Sequence, residues 1–247
     1  MAENIVLEVC AFNIQSCLVA ERVGATRVEL CDNPGDGGTT PSHGTIARVR
    51  ERIGIELYPI IRPRGGNFLY DEDELAIMKK DILLCKELGC EGISTGVHLP
   101  NGEIDVERMK RIVTWAYPMG VTCHRVFDRT PDPYQALEQL IGLGCERVLT
   151  SGQASGAPEG IDVLAKLVTQ ANGRILIMPG AGVRAANIET LIKGTGAVEF
   201  HTSARVNVPD NVSYQHAATF DFGGFPIANE SELSLLLRNA QQALLNA

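Results

Sequence analysis

Leu7-Glu8-Val9-Cys10 and Val28-Glu29-Leu30-Cys31, about twenty residues apart, repeat one pattern: apolar, glutamate, apolar, cysteine. Side chains alternate along a β-strand, so each Glu shares a face with the Cys two positions on, and the apolar residues take the other face. Two such strands in tandem bring both carboxylates and both thiols together. Groups of this kind aimed into an interior are costly unless paired, protonated or liganded. The repeat therefore marks a buried network or a functional site.

The same cadence of short strand and amphipathic helix continues along the chain. Strands are predicted at Ile5–Cys10, Arg27–Cys31, Glu56–Arg62, Gly92–Gly96, Val121–Phe127, Arg147–Ser151, Ile175–Pro179 and Val198–His201. Helices are predicted at Ile14–Val23, Gly44–Arg52, Glu72–Leu88, Val106–Ala116, Tyr134–Leu143, Ile161–Ala171, Ala186–Ile192 and Glu232–Leu245. Ser42 and Asp71 read as N-caps and Pro133 as a first-turn proline, while Gly24, Gly89, Gly144 and Gly194 read as helix ends. Eight βα units repeating about every 27 residues are the footprint of a (β/α)8 TIM barrel, here a single domain over residues 1–247. A doubly wound sheet is the competing layout, but Ala11-Phe12-Asn13 after the first strand lacks the glycines of a dinucleotide or phosphate loop. A long loop over residues 205–230 follows the last strand and reads as a lid, an oligomer contact or a disordered segment.

A net charge of −8 gives no attraction to nucleic acid or to an anionic membrane surface. No apolar run reaches membrane-spanning length and the N-terminus lacks signal-peptide features, so a cytoplasmic protein is expected. Seven cysteines, an odd number without a CxxC, point to reduced thiols rather than a disulfide framework.

In a barrel the active site lies at the C-terminal ends of the strands. Glu8 with Cys10, Glu29 with Cys31, Arg62 with Arg64, and Glu199 with His201 share faces there, and His124 lies one step from Arg125 on the fifth strand. Cys17, Cys85, Cys90 and Cys145 fall on helices or helix ends and read as small buried residues. Cys10 and Cys31 admit that reading too, or form a soft two-thiolate site suited to Cu(I) rather than Ca²⁺ or Mg²⁺, with His201 a further ligand candidate. Arg62, in the loop Arg62-Pro63-Arg64-Gly65-Gly66, either grips an anion or neutralises Glu8 and Glu29. His124 and Asp128 form a candidate acid–base pair. Gly180 and Gly182 after the seventh strand and Ser203 after the eighth form a candidate phosphate cradle, provided these turns open helices.

The segments LEVC (7–10), RVELC (27–31), GGTTPS (37–42), IRPRGGNFLY (61–70), VTCHRVFDR (121–129), RVLTSG (147–152), MPGAGV (178–183) and EFHTSAR (199–205) together resemble the CutC family of copper homeostasis proteins nearly end to end. The resemblance implies a cytoplasmic barrel, a homo-oligomer (dimer or tetramer) and Cu(I) binding, with Cys10 and Cys31 at the positions of the family's proposed ligands. Cys123, Asn67 and Thr202 depart from residues common in the family; Asn67 removes a carboxylate from its loop.

Two functions follow. One is copper homeostasis, with Cu(I) as the bound species. The other is a lyase-, isomerase- or aldolase-like barrel enzyme on a small anionic or phosphorylated metabolite, with Glu8, Glu29 or His124 exchanging protons and Arg62 holding the anion. No lysine ends a strand, which disfavours Schiff-base chemistry. The Phe220–Pro226 stretch is a candidate oligomer contact.

Overall fold

Alternation of strand and helix closes into a ring in the computed structural model, which describes residues 5–214 and 223–245. The chain runs β1 (Val6–Ala11), α1 (Ile14–Val23), β2 (Arg27–Leu30), α2 (His43–Arg50), β3 (Glu56–Pro59), α3 (Glu72–Glu87), β4 (Gly92–Thr95) and α4 (Val106–Ala116). It continues with β5 (Gly120–Cys123), α5 (Pro133–Leu143), β6 (Arg147–Thr150), α6 (Ile161–Ala171), β7 (Leu176–Pro179), α7 (Ile188–Thr195) and β8 (Glu199–Thr202). The hairpin strands β9 (Arg205–Val208) and β10 (Phe225–Ala228) and the helix α8 (Glu230–Leu245) complete it. Parallel ladders run β3-β2-β1-β8 and β4-β5-β6-β7. Ile61 N–H donates to the Ser94 carbonyl at 2.8 Å across the β3–β4 seam, and β7 lies beside β8, which closes the (β/α)8 barrel.

Local chemistry sets the helix ends as the sequence leads one to expect. Asp71 and Glu74 form a reciprocal capping box on α3, Ser42 accepts from Thr45 N–H on α2, and Pro133 opens α5 behind the cap Asp132. Helix α7 starts two residues later than predicted and ends at Gly196 rather than Gly194. The cause is Asn187, whose side chain accepts from Arg184 N–H and donates to the Gly182 carbonyl, holding the preceding residues in a turn. The fifth strand is also shorter than predicted: His124 Nδ1 accepts from Val126 N–H, and the chain turns into a short 3-10 helix at Phe127–Arg129.

Residues 205–208 and 225–228 pair antiparallel, so the ends of the long segment after β8 form a hairpin. Residues 220–222 of the predicted Phe220–Pro226 contact lie outside the described residues.

Strand parity divides the interior in two. Leu7, Val9, Val28, Leu30, Leu57, Ile93, Val121, Val148, Ile177 and Phe200 face outward and join the helices in one apolar core. The inward faces carry charge. Arg27, 1% exposed, donates from Nε to Glu8 at 2.5 Å, from Nη2 to Glu199 at 2.6 Å and from Nη1 to Glu56 at 3.1 Å. Arg147 donates to Glu199 at 3.0 Å and Glu146 at 2.9 Å. The Tyr58 ring lies against both guanidiniums, 5.1 Å from Arg27 and 5.0 Å from Arg147. Gly92 makes room for that ring, since a Cβ there would stand 2.0 Å from it.

This ionic floor is satisfied only as a unit, because removing one partner strands the others away from water. Arg27→Met should therefore lower unfolding free energy by about 3–5 kcal/mol, measured by urea denaturation. Arg174→Met, at an exposed pair with Glu138, should leave the midpoint unmoved.

Candidate functional site

Above the ionic floor, pairing between strands brings the predicted residues of β1, β2 and β8 together. Glu8 lies opposite His201 in the β1–β8 ladder, and Cys10 lies opposite Glu29 in the β1–β2 ladder. Glu8 thus bridges the layers: one oxygen takes Arg27 below, and the other meets His201 Nδ1 at 2.7 Å. His201 Nε2 stands 3.7 Å from Glu29. Cys10 Sγ is 3.8 Å from Cys31 Sγ, and Cys31 Sγ is 3.6 Å from Glu29. Ligand atoms of Cys10, Glu29 and Cys31 all lie within 4.8 Å of one another.

These contacts set the protonation states. The Cys31 hydrogen bond, opposed by burial and reinforced by His201, lowers the Cys10 thiol to about 5. The same Cys10 contact, with burial, pushes Cys31 well above the usual thiol value. Burial, with the Cys10 charge beside it, lifts Glu29 to about 8. Burial alone would raise Glu8, but its bonds to His201 and Arg27 outweigh it and bring the carboxyl down to about 2. Burial disfavours the His201 cation, yet contacts with Cys10 and Glu8 raise it well above an ordinary imidazole. At neutral pH the cluster holds a Cys10 thiolate against a His201 imidazolium, the environment in which a cysteine becomes a nucleophile or soft ligand.

The remaining predicted residues divide. Arg62 neutralises neither Glu8, which Arg27 holds, nor Glu29, which meets Cys31 Sγ and His201 Nε2. It donates instead to the carbonyls of Asp36, Gly38 and Gly66 at 2.6, 2.6 and 2.9 Å. His124 and Asp128 do not pair: Asp128 accepts from Thr150 Oγ1 at 2.5 Å, from Ser151 N–H and from Arg125, and so clamps the loops after β5 and β6. Burial and the Arg62 charge push His124 down to about 3, so its ring is neutral.

The predicted phosphate cradle is not assembled as expected. Helix α7 begins only at Ile188, well past Gly182, and Ser203 leads into β9 rather than into a helix, so neither turn presents a helix N-terminus. Gly180 is needed for packing, since a Cβ there would meet Leu149 at 2.4 Å.

An inner cavity of 120 Å³ is lined by Cys10, Glu29, His201, His124 and Arg62, with Phe68 among its walls. It shares Gly37, Arg62, Phe68 and Arg125 with an outer cavity of 600 Å³ at the barrel mouth. Sequence reasoning missed Arg27 and Arg147, which open their strands. Their parity with Glu29 and Leu149 was the available signal.

A family model described as the CutC family matches residues 5–206, which includes all eight barrel strands. CutC family proteins from Chromobacterium violaceum and Parabacteroides distasonis are 50% and 52% identical over 210 and 212 residues, covering 85% of this chain and 85% and 87% of their own lengths. A crystal structure from Streptococcus agalactiae, named as a copper homeostasis protein CutC, aligns with a TM-score of 0.78 at 36% identity over 81% of this chain and 98% of its own. A phosphoribosyl anthranilate isomerase from Thermotoga maritima shares the fold, with a TM-score of 0.59 at 13% identity over 96% of this chain and 99% of its own.

In the metal-free, reduced protein, iodoacetamide at neutral pH should label Cys10 ahead of the other thiols, with a reactivity midpoint near 5. His201→Phe should move that midpoint upward toward the ordinary thiol value, because the imidazolium favours the charged form. Peptide mapping across pH reads both. An unmoved midpoint would contradict the assignment.

Proposed function

Since the chain belongs to the CutC family, we propose that it is a copper homeostasis protein that holds Cu(I) as cargo between Cys10 and Cys31 at the barrel mouth. The observation that carries this reading is the 3.8 Å separation of the two sulfurs. Metal–sulfur bonds of about 2.3 Å spread at tetrahedral to trigonal angles place two sulfurs about 3.8–4.0 Å apart, so the pair can take a metal with little rearrangement. Two thiolates with one imidazole nearby are a soft set, which favours Cu(I) over hard divalent cations. Cys10 supplies the first thiolate; Cys31 gives up its proton on binding, since a metal deprotonates a coordinating thiol. His201 Nε2 is the third ligand candidate, and it too gives up its proton on binding while Nδ1–H stays on Glu8.

The reading places the protein in the cytosol, where seven unpaired cysteines stay reduced. No helix among the described residues is long and apolar enough to cross a membrane. It also includes a homo-oligomer, dimer or tetramer, joined through the β9–β10 hairpin, where Val206, Val212 and Phe225 are exposed.

An anaerobic Cu(I) titration against a competing chelator tests the reading. One tight equivalent is expected for the native chain, with loss of at least about a hundredfold in affinity for the Cys10→Ser, Cys31→Ser double variant. Weak native binding, or binding that survives the double change, would overturn it. Light scattering should report an assembly that Val206→Glu with Phe225→Glu reduces to monomers.

A further inference from the structure

Two buried donors that line the inner cavity together with Cys10 have no hydrogen-bond partner. Arg62 is 4% exposed; three of its N–H groups are taken by loop carbonyls and its guanidinium lies beside the Tyr70 hydroxyl, but Nε makes no hydrogen bond. Its guanidinium is also in no ion pair among the described residues, although buried charges are normally paired. His124 is likewise 4% exposed, and its Nε2 has no partner. Because Nδ1 accepts from Val126 N–H at 3.2 Å, it is the unprotonated nitrogen and Nε2 carries the hydrogen. Both are therefore donors, and both side chains line the inner cavity. Phe68 holds them in place: its ring lies 4.9 Å from the Arg62 Cζ and 4.8 Å from the His124 ring.

We propose that the inner cavity binds a small organic carboxylate, with Arg62 Nε–H and His124 Nε2–H donating to its two oxygens and its carbon chain directed toward Cys10.

The stoichiometry of donors and charge favours this class. One guanidinium without an ion-pair partner balances one carboxylate, and Arg62 Nε–H and His124 Nε2–H, the two cavity-lining nitrogens without any acceptor, match its two oxygens, whereas a phosphate dianion brings a second charge. Ile60 and Leu149 supply apolar wall for a short carbon chain, and 120 Å³ limits it to a few heavy atoms. The outer cavity gives the approach. Arg62, Arg125 and Arg129 line it with Asp36 and Asp128; Arg125 is paired with Asp128, and the remaining excess of one positive charge, with the Arg129 guanidinium over Phe68, draws an anion inward. His124 is here a neutral hydrogen-bond donor, not the acid–base partner of Asp128 that the sequence spacing suggested.

This inference goes beyond copper binding and uses different atoms, so the two fail separately. The side-chain ¹H–¹⁵N resonance of His124 Nε2 in the metal-free protein is the direct probe, titrated with acetate, glycolate and pyruvate, and separately with phosphate. A saturable shift with at least one carboxylate is expected. Arg62→Lys, which keeps the charge but removes Nε–H, and His124→Gln should each weaken that binding about tenfold while Arg174→Met, at an exposed pair outside the cavity, retains it. No saturable shift with any of the three carboxylates would overturn the proposal. So would saturation by phosphate alone, or unchanged affinity in a variant whose thermal melt matches the native one. If both variants unfold, the native resonance decides: a saturable carboxylate shift supports the site, and its absence sinks it.

Discussion

Glu8 is the residue on which both layers of the barrel interior depend. One carboxylate oxygen is held by Arg27 in the floor, and the other by His201 in the mouth. A carboxylate with 1% exposure is tolerable only because both oxygens meet positive partners. In turn it fixes the orientation of His201 and keeps the ring cationic beside Cys10. The electrostatics of the thiol pair therefore begin one layer below it, in residues that touch neither sulfur.

The arrangement follows from the parallel barrel's geometry. Inward residues recur every second position, so a strand that begins with an inward charge at the floor presents another inward group two residues later. Strand β2 shows this in sequence, with Arg27 in the floor, Glu29 in the middle and Cys31 at the mouth. Register between β8, β1 and β2 then aligns Glu8 with His201 and Cys10 with Glu29. The polar interior is compatible with a stable fold because the apolar core lies outside the barrel, between strands and helices.

Much of this was legible in the sequence. Short Val/Ile/Leu strands with glycine and proline punctuation reveal the eight units, and the twin Leu-Glu-Val-Cys and Val-Glu-Leu-Cys runs identify the mouth by parity alone. What parity cannot supply is the partner across the barrel. Arg62 was a reasonable counter-ion for Glu8 by neighbouring-strand logic, yet Arg27 takes it from the next strand while Arg62 turns to loop carbonyls. Asp128 follows His124 at a suggestive spacing, but a 3-10 turn at Phe127–Arg129 carries it toward Thr150 and Ser151. Side-chain hydrogen bonds of Asn187 and the β9–β10 pairing likewise remove the helix N-termini that a phosphate cradle requires.

The Cys10 thiolate, the His201 imidazolium and the Glu29 carboxyl line the inner cavity together with two unpartnered donors, and the proposed copper binding calls on the first group alone. X-ray absorption at the copper edge of the Cu(I)-loaded native protein tests that central assignment most directly. The account predicts a first shell dominated by two sulfurs at about 2.3 Å, with at most one nitrogen or oxygen from His201 or Glu29. A shell of nitrogen and oxygen only, or one unchanged when Cys10 and Cys31 are both replaced by serine, would contradict it.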